Sequence, residues 1–206
     1  MHTHIAGGTA GEIRMMEKEE RTMVFIDLRN VTGVLKHYNA KGKVAFSHMT
    51  NLVNEERRLM AAYVFDGETN KKSKELHRTL KYEGFKILKG SYNVASNKQK
   101  EVDSLMVCEM VAHAFRDNYD TAIIISGDRD FCPAVKLIQS LGKKVEVAGF
   151  SVAMSGALCR ECDVYHDLDT EELFFDVAPD YNVVYTGIPT EIGIWAGVDS
   201  TYVAGV

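Results

Sequence analysis

Thr121-Ala-Ile-Ile-Ile-Ser126 is an unbroken apolar run, too short for a core helix, that breaks at Gly127 and delivers the chain to Asp128 and Asp130. Thr22-Met-Val-Phe-Ile-Asp-Leu28 has the same character, and so does Leu59-Met-Ala-Ala-Tyr-Val-Phe65, which stops at Asp66-Gly67. Strands buried on both faces read this way, because neither face can carry the polar residues that would make the pattern alternate. Helix-patterned segments lie between and after them. Ser47 is placed to cap a helix through Glu56. Lys71 to Tyr82 is basic and amphipathic, with Gly84 as its C-cap. Val102 to Phe115 repeats apolar residues at Val102, Leu105, Met106, Met110 and Ala114. Phe131 to Leu141 carries Pro133 in its first turn. Phe85 to Lys89 reads as an edge-like strand, Lys144 to Phe150 and Val164 to Leu168 as the last two strands, and Ser151 to Arg160 as a short helix. Asn30 to Tyr38 only leads away from the first strand. Strands alternating with helices call for an α/β fold, with a mainly parallel sheet of five or six strands covered on both faces through right-handed crossovers.

A chain of 206 residues suffices for one such domain. Its 46% hydrophobic and 26% charged content suits a soluble globular protein. No apolar run approaches the ~20 residues that span a bilayer. Residues 1–20 lack an apolar core and read as a leader, not a secretory signal. The domain is expected over residues 21–170, and an extension of undecided structure over 171–206. Two of the four cysteines (Cys108, Cys132, Cys159 and Cys162) fall in apolar helical patterns, which suits reduced, buried thiols and a cytoplasmic setting. Cys159-x-x-Cys162 has no second pair to complete a zinc site.

The net charge of −5 argues against a general nucleic-acid coat, but the charge is unevenly spread. Residues 41–100 carry 13 Lys and Arg against 6 Asp and Glu, whereas residues 101–206 carry 6 against 18. A basic flank beside an acidic pocket is one reading, and solvated helix faces of opposite sign are the other.

In open parallel sheets ligands bind beyond the carboxyl ends of the strands. Asp27 stands at the end of the first strand, Asp128 and Asp130 follow the Ile-rich strand, and Asp103 opens the long helix. Glu109 lies six residues further, about 600° of helical rotation, so it need not share a ligand sphere with Asp103. Two carboxylates ~4 Å apart repel by about 4 kcal/mol at an effective dielectric of 20. Either some of them protonate or a divalent cation offsets the repulsion. Oxygen ligands without His or Cys select Mg²⁺ or Mn²⁺. Such an ion lowers the pKa of bound water and stabilises a leaving oxygen, which suits phosphodiester hydrolysis. Taken singly, each acid is also an ordinary turn or cap residue.

Phe25-Ile-Asp27-Leu-Arg-Asn30, Lys100-Glu-Val-Asp103, Ile124-Ile-Ser126-Gly-Asp128-Arg-Asp130-Phe131 and Gly142-Lys-Lys-Val-Glu-Val-Ala-Gly149 stand in an order that resembles an NYN domain of the PIN-like nuclease superfamily. The likeness spans Arg21 to Leu168. It implies a three-layer α/β/α fold and a Mg²⁺- or Mn²⁺-dependent endoribonuclease acting in RNA processing or decay. Asp27, Asp103, Asp128 and Asp130 would be catalytic and hold the metal directly or through water, with Glu109 on the same helix as a further acid. Asn30 and Ser126 would orient a carboxylate or the phosphate. Arg29 stands where the family usually has a small residue, which offers either a phosphate clamp or an altered activity. Relatives of this kind often pair up, so a homodimer is an expectation beside RNA as partner. Under this resemblance Lys71, Lys72, Lys74, Arg78 and Lys81, with Lys98 and Lys100 leading into Asp103, supply an RNA-facing flank without sequence readout.

Two rival readings exist. A haloacid-dehalogenase-type phosphatase wants an acid where Arg29 stands and wants its later acids four apart, whereas Asp128 and Asp130 are two apart. A non-catalytic RNA-binding or scaffold module would keep the acidic pocket without turnover.

Overall fold

The computed structural model describes residues 19–37, 43–67, 71–90, 92–93, 98–99, 101–169 and 173–175. The leader expected over residues 1–20 lies outside them except for Glu19 and Glu20, as does the extension expected over 171–206 except for Leu173 to Phe175. Lys100 also lies outside, and Lys98 is described only in its backbone.

Six strands form the sheet: β1 (Arg21–Asp27), β2 (Arg58–Asp66), β3 (Lys86–Lys89), β4 (Thr121–Ile125), β5 (Lys144–Gly149) and β6 (Val164–Asp167). Their spatial order is β3-β2-β1-β4-β5-β6, and every pairing is parallel. The expected α/β sheet is therefore present, at the upper strand count and wholly parallel. Two-residue ribbons pair Phe174–Phe175 with Lys43–Val44, and Tyr92–Asn93 with Lys98–Gln99.

Alternation along β1 sorts the core into two halves. Val24 and Ile26 face one layer with α1 (Leu28–Gly33), α2 (Phe46–Asn54) and α3 (Lys71–Tyr82), through Val31, Met49, Val53 and Leu80. Met23 and Phe25 face the other layer with α4 (Val102–Phe115), α5 (Cys132–Ser140) and α6 (Gly156–Glu161), through Met106, Met110, Val135, Ile138 and Leu158. Ile123, Ile124 and Ile125 are fully buried, because β4 is sandwiched between both layers. Burying each contributes ~1.5–3 kcal/mol.

Four local expectations are corrected. Asn30 to Tyr38 is not a simple exit: Asp27 caps α1, and a 3₁₀ turn Val34–Lys36 follows. Ser47 caps nothing. The cap position of α2 is Ala45, without a side-chain bond, and the Ser47 hydroxyl donates to Glu83 Oε2 at 2.8 Å. Ser151 to Arg160 divides into a 3₁₀ turn Ser151–Ala153 and α6, whose first turn is capped by Ser155. The four cysteines are free thiols, but Cys108 lies on the exposed side of α4.

Opposite the carboxyl ends of the strands, Glu146 of β5 is a buried charge. Arg57 grips both its oxygens at 2.8 Å, His166 Nε2 lies at 2.8 Å and Lys144 Nζ at 2.9 Å. Burial alone would raise this carboxyl, but the His166, Arg57 and Lys144 hydrogen bonds outweigh it and hold the group far below the usual carboxylate range.

Candidate active site

Strand order reverses direction between β1 and β4, so the loops leaving those two strands part and open a crevice at the carboxyl edge. Asp27 closes β1 and serves as the N-cap of α1. Its Oδ1 accepts from the backbone N–H groups of Arg29 and Asn30, both at 3.1 Å, and its Oδ2 accepts from the Ser126 hydroxyl at 3.2 Å. Ser126 Oγ in turn accepts from Asp128 N–H at 3.2 Å, and Asn30 Oδ1 accepts from Gly127 N–H at 3.1 Å. Asp128 Oδ1 accepts from Asp130 N–H at 2.9 Å and so caps the 3₁₀ turn Arg129–Phe131. The two loops are thereby tied together through side chains, and both leading acids are fixed by their own backbone.

The crevice is an open cleft of about 290 Å³. Asp27, Asp103 and Asp128 line it together with Arg29, Asn30, Glu101 and Val102. Burial pushes the Asp27 carboxyl up, and the Asp103 charge adds to this, against the lowering effect of its Asn30, Ser126 and Arg29 hydrogen bonds. Burial also pushes Asp103 up, and the charges of Asp128 and Asp130 add to it, while the Arg29 guanidinium opposes the rise. Arg29 does not cancel the acids. Both groups remain above the ordinary aspartate value, as expected for carboxylates gathered in a partly desolvated pocket.

The structure thus brings Asp27, Asp103, Asp128, Arg29 and Asn30 to one cleft, with Ser126 buried behind them. Asp130 is exposed and reaches the group through its charge on Asp103. Glu109 is not brought in: it sits down the helix beside His113, 3.6 Å from Nε2. Lys71, Lys72, Lys74, Arg78 and Lys81 are exposed on α3, which lies in the layer opposite α4. Glu101 was not expected. It lines the cleft at the cap position of α4 with φ of 74°, in the left-handed region that glycine occupies without strain. The only sequence signal for it was an acid two residues before Asp103.

The donor set is all oxygen, which fits Mg²⁺ or Mn²⁺ and not a soft metal. Among the described residues, no three His, Cys, Asp or Glu side chains already stand at the spacing of a bound ion. The aspartates instead share an open cleft and act on one another through their charges.

The NYN domain family model matches residues 21–169. The chain belongs to the NYN domain family. This places it in the PIN-like nuclease superfamily. Three of the four acids that line the cleft, Asp27, Asp103 and Asp128, are among those named with the resemblance. The NYN domain is also similar to the crystal structure of a protein of unknown function from Vibrio parahaemolyticus, with a TM-score of 0.65 and 21% identity over 76% of this chain and 97% of that one. At that identity the likeness concerns the fold alone. No curated protein matches the chain. Among the described residues, no helix of this NYN domain is long and apolar enough to cross a membrane.

Proposed function

We propose that this NYN domain is a Mg²⁺- or Mn²⁺-dependent endoribonuclease that hydrolyses phosphodiester bonds of RNA in the cleft at the β1–β4 switch point. The carrying observation is that Asp27, Asp103 and Asp128, contributed by β1, α4 and the loop after β4, line one cleft and keep two of their carboxyl groups above the ordinary range. Asp27, Asp103 and Asp128 would hold the ion, with Asp130 acting through water. A bound ion would polarise the phosphate and supply a more acidic water.

The chain's own groups do the rest. Asn30, fixed through Oδ1 by Gly127 N–H, holds its amide at the cleft wall, where its N–H donors suit a phosphate oxygen. Ser126 keeps Asp27 and Asp128 in register by donating to one and accepting from the backbone of the other. Arg29 is the one cation lining the cleft among the described residues, and it is placed to meet a phosphate as the acids meet the metal. The exposed cations of α3 lie in the layer opposite α4 and would add sequence-independent affinity only for a part of the RNA that passes on that side.

The test is cleavage of a labelled single-stranded RNA by purified protein with Mn²⁺. EDTA or Asp128→Asn removes the activity. Cleavage that persists in Asp128→Asn counts against this mechanism, and a protein that binds RNA but no metal is the non-catalytic module.

A further inference from the structure

On the α4 side of the sheet, at its open β3 edge, a second group of polar side chains converges away from the cleft. Tyr63 of β2 and Lys86 of β3 are paired in register and share this face. Lys86 Nζ lies 5.1 Å above the centre of the Tyr63 ring and donates to the Tyr63 hydroxyl at 3.4 Å. The same hydroxyl is 3.0 Å from His113 Nε2, and His113 Nδ1 is 2.7 Å from Asn118 Nδ2. With that amide donating to Nδ1, the imidazole carries its proton on Nε2 and donates to the Tyr63 oxygen. That oxygen then accepts from both His113 and Lys86, which leaves the phenol's own hydrogen to be donated elsewhere.

The charges around this group are mainly positive. Lys86 and Arg116 both act on His113, and among the described residues Glu109 is the one acid that acts on it. Among the described residues, neither Lys86 nor Arg116 forms an ion pair. The Lys86 ammonium is held by an aromatic face and a neutral hydroxyl, which position it without neutralising it. Burial, together with Lys86 and Arg116, keeps the His113 pKa below the ordinary histidine value despite Glu109. An arriving anion would relieve that charge crowding.

The group and the cleft are joined by α4. Asp27 and Asp103 lie on the same face of the sheet, and Asp103 and His113 are ten residues apart on α4, about 15 Å of helix rise. Only a polymer of several nucleotides reaches both places.

We propose that Lys86, Tyr63, His113 and Arg116 form a second phosphate subsite, which takes the backbone of a single-stranded RNA whose scissile bond lies in the cleft. The proposal rests on the nuclease reading of the cleft. It adds a direction to it: the strand leaves the cleft along α4 and the β3 edge, on the face opposite the basic α3 helix. Recognition there is of charge and backbone, with no base readout.

The experiment is fluorescence anisotropy with a labelled twelve-nucleotide oligouridylate, in the presence of Mn²⁺ and in an Asp128→Asn background so that the strand stays intact. Lys86→Glu weakens binding about tenfold and flattens the dependence of log K on log salt by about one. Arg116→Ala, at an exposed position that tolerates the change, weakens it several-fold. Lys136→Glu, the same charge change on α5, serves as the control and stays near the parent. The His113 titration midpoint, read by NMR, rises when the oligonucleotide binds. If Lys86→Glu and Arg116→Ala bind like Lys136→Glu, the subsite is overturned and the cleft reading stands. If the parent binds no RNA at all, the subsite and the RNA reading of the cleft fall together.

Discussion

Gly127 sits between Ser126 and Asp128, and its substitution tests whether the loop after β4 has room to move. A Cβ built there would lie 2.0 Å from Ala153 O, 2.6 Å from Ala153 C and 2.9 Å from Met154 Cα. All three contacts are backbone, so no side chain can swing aside. Ordinary contact requires the 151–155 turn and the Ser126–Asp128 loop to separate by about 1.4 Å. That movement also breaks the 2.9 Å hydrogen bond from Ser155 N–H to Gly127 O. Overpacking costs about 1–3 kcal/mol and the lost bond about 1 kcal/mol. Gly127→Ala therefore destabilises the domain by about 2–4 kcal/mol. At ~2–4 °C per kcal/mol for a domain of this size, its melting temperature falls by about 5–15 °C. Activity falls further than stability, because a misplacement of about 1 Å in a reacting group costs on the order of a hundredfold. Thermal melts, together with Mn²⁺-dependent RNA cleavage measured well below the melting point, check this. Gly142→Ala is the comparison, since its Cβ meets nothing within 4 Å and only its φ of 76° is strained. It should cost ~1 kcal/mol and leave turnover intact. A Gly127→Ala protein that melts within a degree of the parent and cleaves at the parent rate refutes the picture of two interlocked loops.

Three further outcomes are expected. Glu101→Gly relieves a left-handed backbone at φ 74° and stabilises the domain by about 0.5–1 kcal/mol in denaturant titrations, after the entropy of the added glycine is subtracted. Because the Asp27 and Asp103 pKa values are raised, the metal-free fold binds protons more tightly than the unfolded chain does. These two groups therefore favour the fold at low pH, and that contribution is lost as pH rises through their raised values. Metal binding opposes those protons, so Mn²⁺ affinity measured by calorimetry climbs with pH until both are ionised, and a pH-independent affinity would contradict it. Glu146 has the opposite sign: its depressed pKa gives stability that is present above the ordinary glutamate range and lost on acidification. Arg57→Ala leaves that buried carboxylate without its bidentate partner and costs about 3–5 kcal/mol in thermal or denaturant unfolding.

The strands were legible because a wholly parallel sheet buries both faces of its centre, and a stretch such as Ile123 to Ile125 has no other comfortable place. The acids were legible because strand ends are where such a sheet presents ligands. What escaped the sequence depends on contacts that spacing does not carry. The short α1 has no periodicity to display, and its existence hangs on one cap, Asp27, which reads equally well as the last residue of a strand. Ser47 has the right chemistry for a cap, but its hydroxyl turns to Glu83, 36 residues away, in the folded chain. The six-residue spacing already set Glu109 apart from Asp103, and in space it keeps company with His113. Glu101 was hidden because its relevance comes from a backbone angle and a cleft wall. Glu146 breaks an apolar strand, and the partners that permit it come from elsewhere in the chain, Arg57 from the turn before β2 and His166 from the neighbouring strand β6.

The central claim is that Asp27, Asp103 and Asp128 share one hard divalent ion. Anomalous diffraction from crystals soaked in Mn²⁺ tests it directly. The account predicts a strong peak within coordination distance of oxygens from all three side chains, and its loss in Asp103→Asn. A cleft that stays empty at saturating Mn²⁺, or a peak held by other residues, would contradict it.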